Sequence, residues 1–186
     1  MMVKLVGFVG SLRTDSCNRK LAEAAIENAP EGVSLELFEQ IERIPFYNED
    51  IDVEGLTPAV AARLRDTASE ADGLIVFSPE YNGTMPATVK NVIDWLSRPY
   101  GKSAITGKPL AVVGAAHGRY GGVWAHDDIR RSAGVAGAKV LNDLALSIAH
   151  VAERFAEVPP AQDHQIVSEL RSILSELADL ACSSSA

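Results

Sequence analysis

Residues 10–17 (GSLRTDSC) concentrate hydrogen-bonding side chains directly after an apolar run. The donors in and just beyond this segment are Ser11, Arg13, Thr14, Ser16 and Asn18. A helix N-terminus presents unpaired N–H groups and a partial positive charge, so such donors at a strand-to-helix junction predict a phosphate site. The segment lacks G-x-G-x-x-G and the Walker lysine, which favours a single terminal phosphate over a dinucleotide or a nucleoside triphosphate. The alternative is a capped helix that carries a surface arginine.

A second polar segment, residues 78–85 (SPEYNGTM), ends another apolar run. Asn82-Gly83 is a common turn dipeptide, and an ordinary turn is one interpretation of it. The same turn would also direct backbone N–H groups and the Asn82 amide toward whatever lies over the first segment. Tyr81 offers a flat face for a ring. We expect Glu80 to brace the loop rather than to bind a ligand.

A third segment, residues 115–122 (AAHGRYGG), is rich in glycine, which suits a chain that passes close to a flat group. His117 could donate a proton or act as a ligand, although a lone loop histidine more often does neither. Four histidines and two cysteines without paired spacing give a metal site little support. The sequence also lacks the G-x-S-x-G elbow, which argues against a Ser-His-Asp hydrolase.

Alternating strands and helices must position these three segments. The patterns predict strands at residues 3–9, 33–38, 73–78, 108–116 and 138–148, of which the last could be interrupted. They predict helices at residues 16–29, 57–71, 86–97, 121–133 and 167–181, and loops at residues 46–55 and 158–163. Ser16 and Thr57 are the expected N-caps, with Pro58 at a first helical position. Five strand–helix alternations predict an α/β fold with a doubly wound parallel sheet, whose ligands bind beyond the carboxyl ends of the strands.

Length, charge and composition exclude several classes of protein. The 186 residues are 47% hydrophobic and 23% charged, which predicts one domain over residues 1–186 with a substantial core. A formal net charge of −8 disfavours nucleic acids and anionic membranes as partners, so any bound phosphate must be held locally. No apolar run approaches the roughly 20 residues of a spanning helix. The N-terminus does not resemble a secretory signal and only two cysteines occur, so we expect a cytoplasmic location.

The segments GSLRTDSCNRKL and SPEYNGTMPATVKNVIDWLSRP together resemble the NADPH-dependent FMN reductase family, which includes chromate, quinone and azo-dye reductases. The resemblance implies a flavodoxin-like fold with a five-stranded sheet of order 2-1-3-4-5. It also implies FMN as cofactor and NADPH or NADH as electron donor. Two small departures are Thr84, where serine is usual, and Ala87, where glycine is common. His117 stands where a small hydroxyl residue or glycine is expected.

The resemblance also assigns roles to residues. By this analogy the FMN phosphate is held by Ser11, Arg13, Ser16 and Asn18, with help from the Cys17 backbone. The ribityl chain and the edge of the isoalloxazine ring are lined by Pro79, Glu80, Tyr81, Asn82 and Gly83. His117 and Gly118 close on the other side of the ring.

The implied reaction passes a hydride from NAD(P)H through FMN to a small acceptor, which could be a quinone, an azo compound, a metal oxyanion or a free flavin. It requires no side-chain acid or base, so we assign no catalytic residue and no metal. The alternatives are a flavodoxin-like electron carrier without substrate turnover and a relative of this fold that binds another phosphate. The helix at residues 86–97 could pack in the core or form a subunit interface. The family resemblance favours the interface, because members are commonly dimers or tetramers, and so implies a homodimer or homotetramer.

Overall fold

A parallel sheet of five strands in the order β2-β1-β3-β4-β5 forms the centre of the structure, a computed structural model that describes residues 2–184. The strands are β1 (Val3–Val9), β2 (Val33–Leu37), β3 (Gly73–Phe77), β4 (Pro109–Ala115) and β5 (Lys139–Ile148). The helices are α1 (Cys17–Glu27), α2 (Ala59–Glu70), α3 (Ala87–Leu96), α4 (Val123–Val135), α5 (Val151–Glu157) and α6 (His164–Ser184). The predicted flavodoxin-like fold is confirmed. The ends of the predicted domain, residue 1 and residues 185–186, lie outside the described residues.

Both faces of the sheet are covered by helices, which explains the apolar character of the strands. Along β3, Ile75 and Phe77 pack in the core formed with α1 and α6. Leu74 and Val76 point to the opposite face, where α2, α3 and α4 form the second core. In the part of the chain that the structure describes, no helix is both long enough and apolar enough to cross a bilayer.

The strand order places a switch point between β1 and β3. The chain passes from β1 outward to β2 and then returns to β3 on the other side of β1. The loops that follow β1 and β3 therefore lead to opposite faces of the sheet, and a crevice opens between them at the carboxyl ends. Because β4 lies beside β3 in parallel, its carboxyl end borders the same crevice.

The predicted start of the second helix is wrong in one detail. Thr57 does not cap it, because its hydroxyl donates to the Val53 carbonyl and closes a turn. Pro58 occupies the N-cap position with an extended backbone, so the first helical residue is Ala59. By contrast, Ser16 caps α1 as predicted, since its Oγ accepts a hydrogen bond from the Arg19 N–H at 3.2 Å.

Further differences lie in the C-terminal half. Helix α4 starts two residues later than predicted because Gly121 and Gly122 both have positive φ, at 65° and 93°. The fifth strand is irregular, as the sequence allowed, with a register shift where it passes Leu110 and Val112. Helix α5 was not predicted, because seven residues are too few to show a helical period. Helix α6 is longer than the predicted 167–181.

Two buried polar side chains join the carboxyl ends of the strands. Asn18 of α1 donates to the Ala115 carbonyl and accepts from its N–H, both at 2.9 Å. His126 of α4 places Nε2 3.0 Å from the Ser78 carbonyl oxygen and Nδ1 2.8 Å from the Ser147 hydroxyl. A carbonyl can only accept, so Nε2 carries the proton and Nδ1 accepts from Ser147. These bonds fix the spacing of β3, β4 and β5 where the crevice begins.

We predict that His126 makes stability depend on pH. Burial lowers the pKa of His126 below its ordinary value of 6.5, because the charged ring would lose its hydration. Between the lowered pKa and 6.5 the unfolded chain binds a proton that the folded chain does not. The free energy of unfolding should therefore fall as the pH drops below about 6.5, by at most about 1.4 kcal/mol per pH unit from this group.

Urea denaturation at pH 7.5 and pH 5.5 measures this effect. The variant His126→Gln should be less stable at pH 7.5 but should lose less stability between the two pH values. His117→Gln removes an exposed histidine and is the matched control. Its stability should change between the two pH values as that of the unchanged protein does. The same loss of stability in His126→Gln and the unchanged protein would contradict the assignment.

Candidate functional site

The three predicted segments meet around one cavity of about 230 Å³ beyond the carboxyl ends of β1, β3 and β4. Its walls are formed by Ser11, Arg13, Ser16, Cys17, Asn18, Pro79, Glu80, Tyr81, Ala115, Ala116, His117, Gly118 and Val151. Ten of the twelve residues to which the resemblance assigned a role are in these walls, whereas Thr14, a further donor named from the sequence, is not. The remaining two, Asn82 and Gly83, follow Tyr81 in the adjoining turn.

The first segment forms the polar end of the cavity. Ser16 is buried at the N-cap of α1, and Ser11 Oγ accepts from the Arg13 N–H at 3.4 Å. Both serine hydroxyls still have a hydrogen atom to donate. Arg13 is exposed and uses Nη2 to donate to the Asp15 carbonyl at 3.2 Å, which leaves further N–H groups of its fork for a ligand. A phosphate fits this donor set.

Neighbouring charges are arranged so that Arg13 supplies the positive charge of the cavity wall. The Arg19 guanidinium forms ion pairs with Glu23 and Glu39 instead of lining the cavity. Lys20 forms an ion pair with Asp15, and that ammonium group lowers the pKa of the Asp15 carboxyl. The first turn of α1 contains no acidic residue, so its partial positive charge is not neutralised within the helix.

Asn18 lines the cavity, but most of its hydrogen-bonding capacity is used. Its amide oxygen and one amide hydrogen pair with the backbone of Ala115. One N–H remains at most. The geometry therefore gives Asn18 mainly a positioning role, in which it ties α1 to the end of β4.

The second segment is a tight turn held by neighbouring groups. Tyr81 and Thr84 exchange backbone hydrogen bonds at 3.0 and 3.1 Å. Asn82 and Gly83, between them, have φ values of 53° and 75°. Positive φ at both central residues is typical of a type I′ turn and explains the Asn-Gly pair. Glu80 braces the loop as we expected, since its Oε2 accepts from the Ala125 N–H at 3.3 Å.

The third segment closes the cavity from the side of β4. The Ala116 N–H donates to the Ile148 carbonyl at 2.9 Å, and the Ala116 carbonyl accepts from Val151 at 3.3 Å. His117 and Gly118 line the wall and are exposed. Gly121 passes close to β5, because a Cβ there would lie 2.8 Å from the Ser147 carbonyl oxygen.

Sequence reasoning missed several residues that shape the site. Ala115, Ala116 and Val151 are small or apolar wall residues, and no local pattern marks them as ligand contacts. His126 supports the second loop through its hydrogen bond to the Ser78 carbonyl oxygen. In the sequence, its place on the buried face of α4 is the only indication of this role. Among residues 2–184, no group of three histidine, cysteine, aspartate or glutamate side chains could hold a metal ion.

The family comparison and the similar proteins agree with this geometry. Residues 3–153 match the family described as NADPH-dependent FMN reductase. A quinone reductase from Pseudomonas putida is 46% identical over 124 residues, which is 67% of this chain and 66% of that protein. A 2-hydroxy-1,4-benzoquinone reductase from a Burkholderia species is 41% identical over 130 residues, which is 70% of this chain and 69% of that protein.

A solved structure extends the similarity beyond these aligned segments. The flavoenzyme NAD(P)H:(acceptor) oxidoreductase FerB from Paracoccus denitrificans superposes with a TM-score of 0.86. It is 29% identical, and the alignment covers 98% of both chains. The family match covers all three loops of the cavity and confirms the resemblance that the two motifs suggested. This chain belongs to the NADPH-dependent FMN reductase family.

Proposed function

We propose that this chain is an FMN-dependent oxidoreductase that takes electrons from NADPH or NADH and passes them to a small acceptor. The observation that carries the proposal is the convergence of three loops on one cavity with phosphate donors at its polar end. The family match and the quinone reductases among the relatives support an enzyme over a flavodoxin-like electron carrier. We also propose one domain over the chain and a cytoplasmic location, which the unpaired Cys17 and Cys182 favour.

The first segment would hold the FMN phosphate. Ser11 and Ser16 would donate their hydroxyl hydrogens, and Arg13 would donate from its guanidinium. The unpaired backbone N–H groups at the start of α1, including that of Cys17, would face the same anion. Asn18 would keep α1 in register with β4 and add one amide hydrogen at most.

The second and third segments would hold the ring system. Pro79, Tyr81 and the Asn82-Gly83 turn would lie along the ribityl chain and one edge of the ring, with Glu80 as the brace. His117 and Gly118 would approach from the other side. When bound, FMN would supply the redox chemistry, which is transfer of a hydride from the nicotinamide and of two electrons to the acceptor. The protein contributes binding, orientation and a fixed electrostatic environment, so no catalytic acid or base is assigned.

We further propose a homo-oligomer, either a dimer or a tetramer. The apolar face of α3 is not available for this contact, because Val92, Trp95 and Leu96 are buried in the core beside α2. Another surface must therefore supply the interface. Sedimentation velocity over a range of protein concentrations would determine the oligomeric state.

We predict that the phosphate group dominates FMN affinity and that Arg13 recognises it. Arg13→Ala should weaken FMN binding by roughly 1.5–3 kcal/mol, the usual worth of a hydrogen bond to a charged group. Riboflavin lacks the phosphate, so its affinity should be lower than that of FMN and should not change in the variant. Isothermal titration calorimetry of the apoprotein with both ligands measures this.

The matched control is Arg19→Ala, which removes an arginine whose guanidinium pairs with Glu23 and Glu39. Its affinity for FMN should stay within about twofold of the original. Equal affinities of the unchanged protein for FMN and riboflavin would contradict the phosphate assignment.

We predict that the purified, FMN-loaded protein oxidises NADPH with 1,4-benzoquinone and needs no protein partner. Nicotinamide and acceptor would use the same face of the flavin in turn. Double-reciprocal plots of initial rate against NADPH concentration, at several fixed quinone concentrations, should therefore be parallel. The apoprotein is the control and should be inactive. A loaded protein that passes electrons only when a redox partner protein is added would instead be an electron carrier.

A further inference from the structure

Three half-exposed aromatic side chains continue from the cavity along the second loop to the start of α4. Tyr81, Tyr120 and Trp124 are 45%, 47% and 54% exposed, and we call them the aromatic rim. Tyr81 lines the cavity. Trp124 packs beside the Asn82-Gly83 turn, since its Cε3 lies 3.6 Å from the position that a Cβ on Gly83 would take. Tyr120 contacts Trp124, with ring centroids 5.2 Å apart.

The rim is held rigidly to the second loop. The Thr84 hydroxyl donates to Asp128 of α4 at 2.5 Å, and the Ala125 N–H donates to Glu80 at 3.3 Å. In α4 both bonds are made by residues just after Trp124, Ala125 and Asp128, and they join the helix to both ends of the loop. The start of α4, which carries Trp124, is therefore fixed against the loop before any ligand arrives, which lowers the entropic cost of binding to the rim.

Several charged groups around the rim are engaged within the protein. The Arg119 guanidinium carbon lies 4.6 Å from the centroid of the Tyr120 ring. The nearby carboxylates are already paired, because Asp128 accepts from Thr84 and Arg131 while Glu80 accepts from a backbone N–H. Contiguous exposed aromatic surface beside a cavity is a common mark of a binding site, because leaving such a patch in water is unfavourable.

We propose that the aromatic rim binds the electron acceptor and selects planar, fused-ring quinones over compact hydrated oxyanions. This inference rests on the proposed function, since the acceptor must stack close to the flavin ring. A flat quinone can stack offset on the electron-rich indole, which buries the facing surfaces of the two rings. A hydrated inorganic ion gains nothing from such a surface and must give up water to approach it. Trp124 is the specificity-determining residue, and Tyr120 supports its orientation.

The kinetic test compares two acceptors of different shape at saturating NADPH. Trp124→Ala should raise the KM for 1,4-naphthoquinone about five- to tenfold, which corresponds to the loss of one aromatic stack. The turnover with ferricyanide, which needs no stacking, should stay within about twofold. Trp124→Phe keeps a ring and should stay close to the original KM. Tyr100→Ala removes an aromatic side chain that lies elsewhere on the surface and is 91% exposed. It should change neither the KM for 1,4-naphthoquinone nor the turnover with ferricyanide.

A binding measurement without turnover provides the second readout. The chain has two tryptophans, and Trp95 is fully buried, so the exposed indole fluorescence comes from Trp124. Titration of the oxidised, FMN-loaded protein with 1,4-naphthoquinone should quench this emission, after inner-filter correction. Trp124→Phe should lose the quenching and keep the KM, whereas Tyr100→Ala should keep both.

Three outcomes would overturn the proposal. If Trp124→Ala lowers FMN affinity in calorimetry, the rim contacts the cofactor itself. If it converts an oligomer to a monomer in sedimentation velocity, the rim lies between copies of the chain. If naphthoquinone and ferricyanide kinetics change equally, or not at all, the rim does not select the acceptor. Failure of the unchanged protein to bind FMN would refute the proposed function first, and the rim proposal with it.

Discussion

The close approach of β4 to the end of β3 is the constraint on which the site depends. A Cβ on Gly114 would lie 2.0 Å from the Ser78 carbonyl oxygen and 2.7 Å from His126 Nε2, so only glycine fits at this position. That space lets the His126 ring reach the Ser78 carbonyl, and it lets the Asn18 amide pair with Ala115. A larger residue would separate the strand ends and change the shape of the cavity that the three loops enclose.

The polar residues of the site divide into those that brace the protein and those that face the cavity with free donors. Asn18 is among the donors that the sequence offers to a ligand, yet it is engaged with the backbone of Ala115, and Glu80 braces the loop. Ser11 and Arg13 line the cavity and keep donors that the protein does not use. Such a division is expected of a rigid binding site, because ligand contacts are accurate only when a supporting layer fixes them.

The cavity also has two ends of different chemistry. Hydroxyls, a guanidinium and a helix N-terminus form the polar end, whereas Tyr81 brings an aromatic ring to the wall, and Tyr120 and Trp124 lie exposed outside the walls. This polarity matches the FMN reductase family, in which the cofactor itself carries the redox chemistry. Under the proposed function, the chain would orient the phosphate at the polar end and the flat ring beside the second and third loops.

The amino-acid sequence determined the sheet, the order of its elements and the loops that form the cavity. Apart from Lys4, the β1, β3 and β4 runs are apolar because both faces are covered, and the donor-rich segments follow these strands. These are local signals, carried by neighbouring residues. Tertiary structure decided what no local pattern contains: the pairing of Asn18 with Ala115 across 97 positions, the burial of His126 and the place of Val151 in the wall. Each depends on which elements meet in the folded chain, so only the packed structure separates bracing residues from cavity-facing ones.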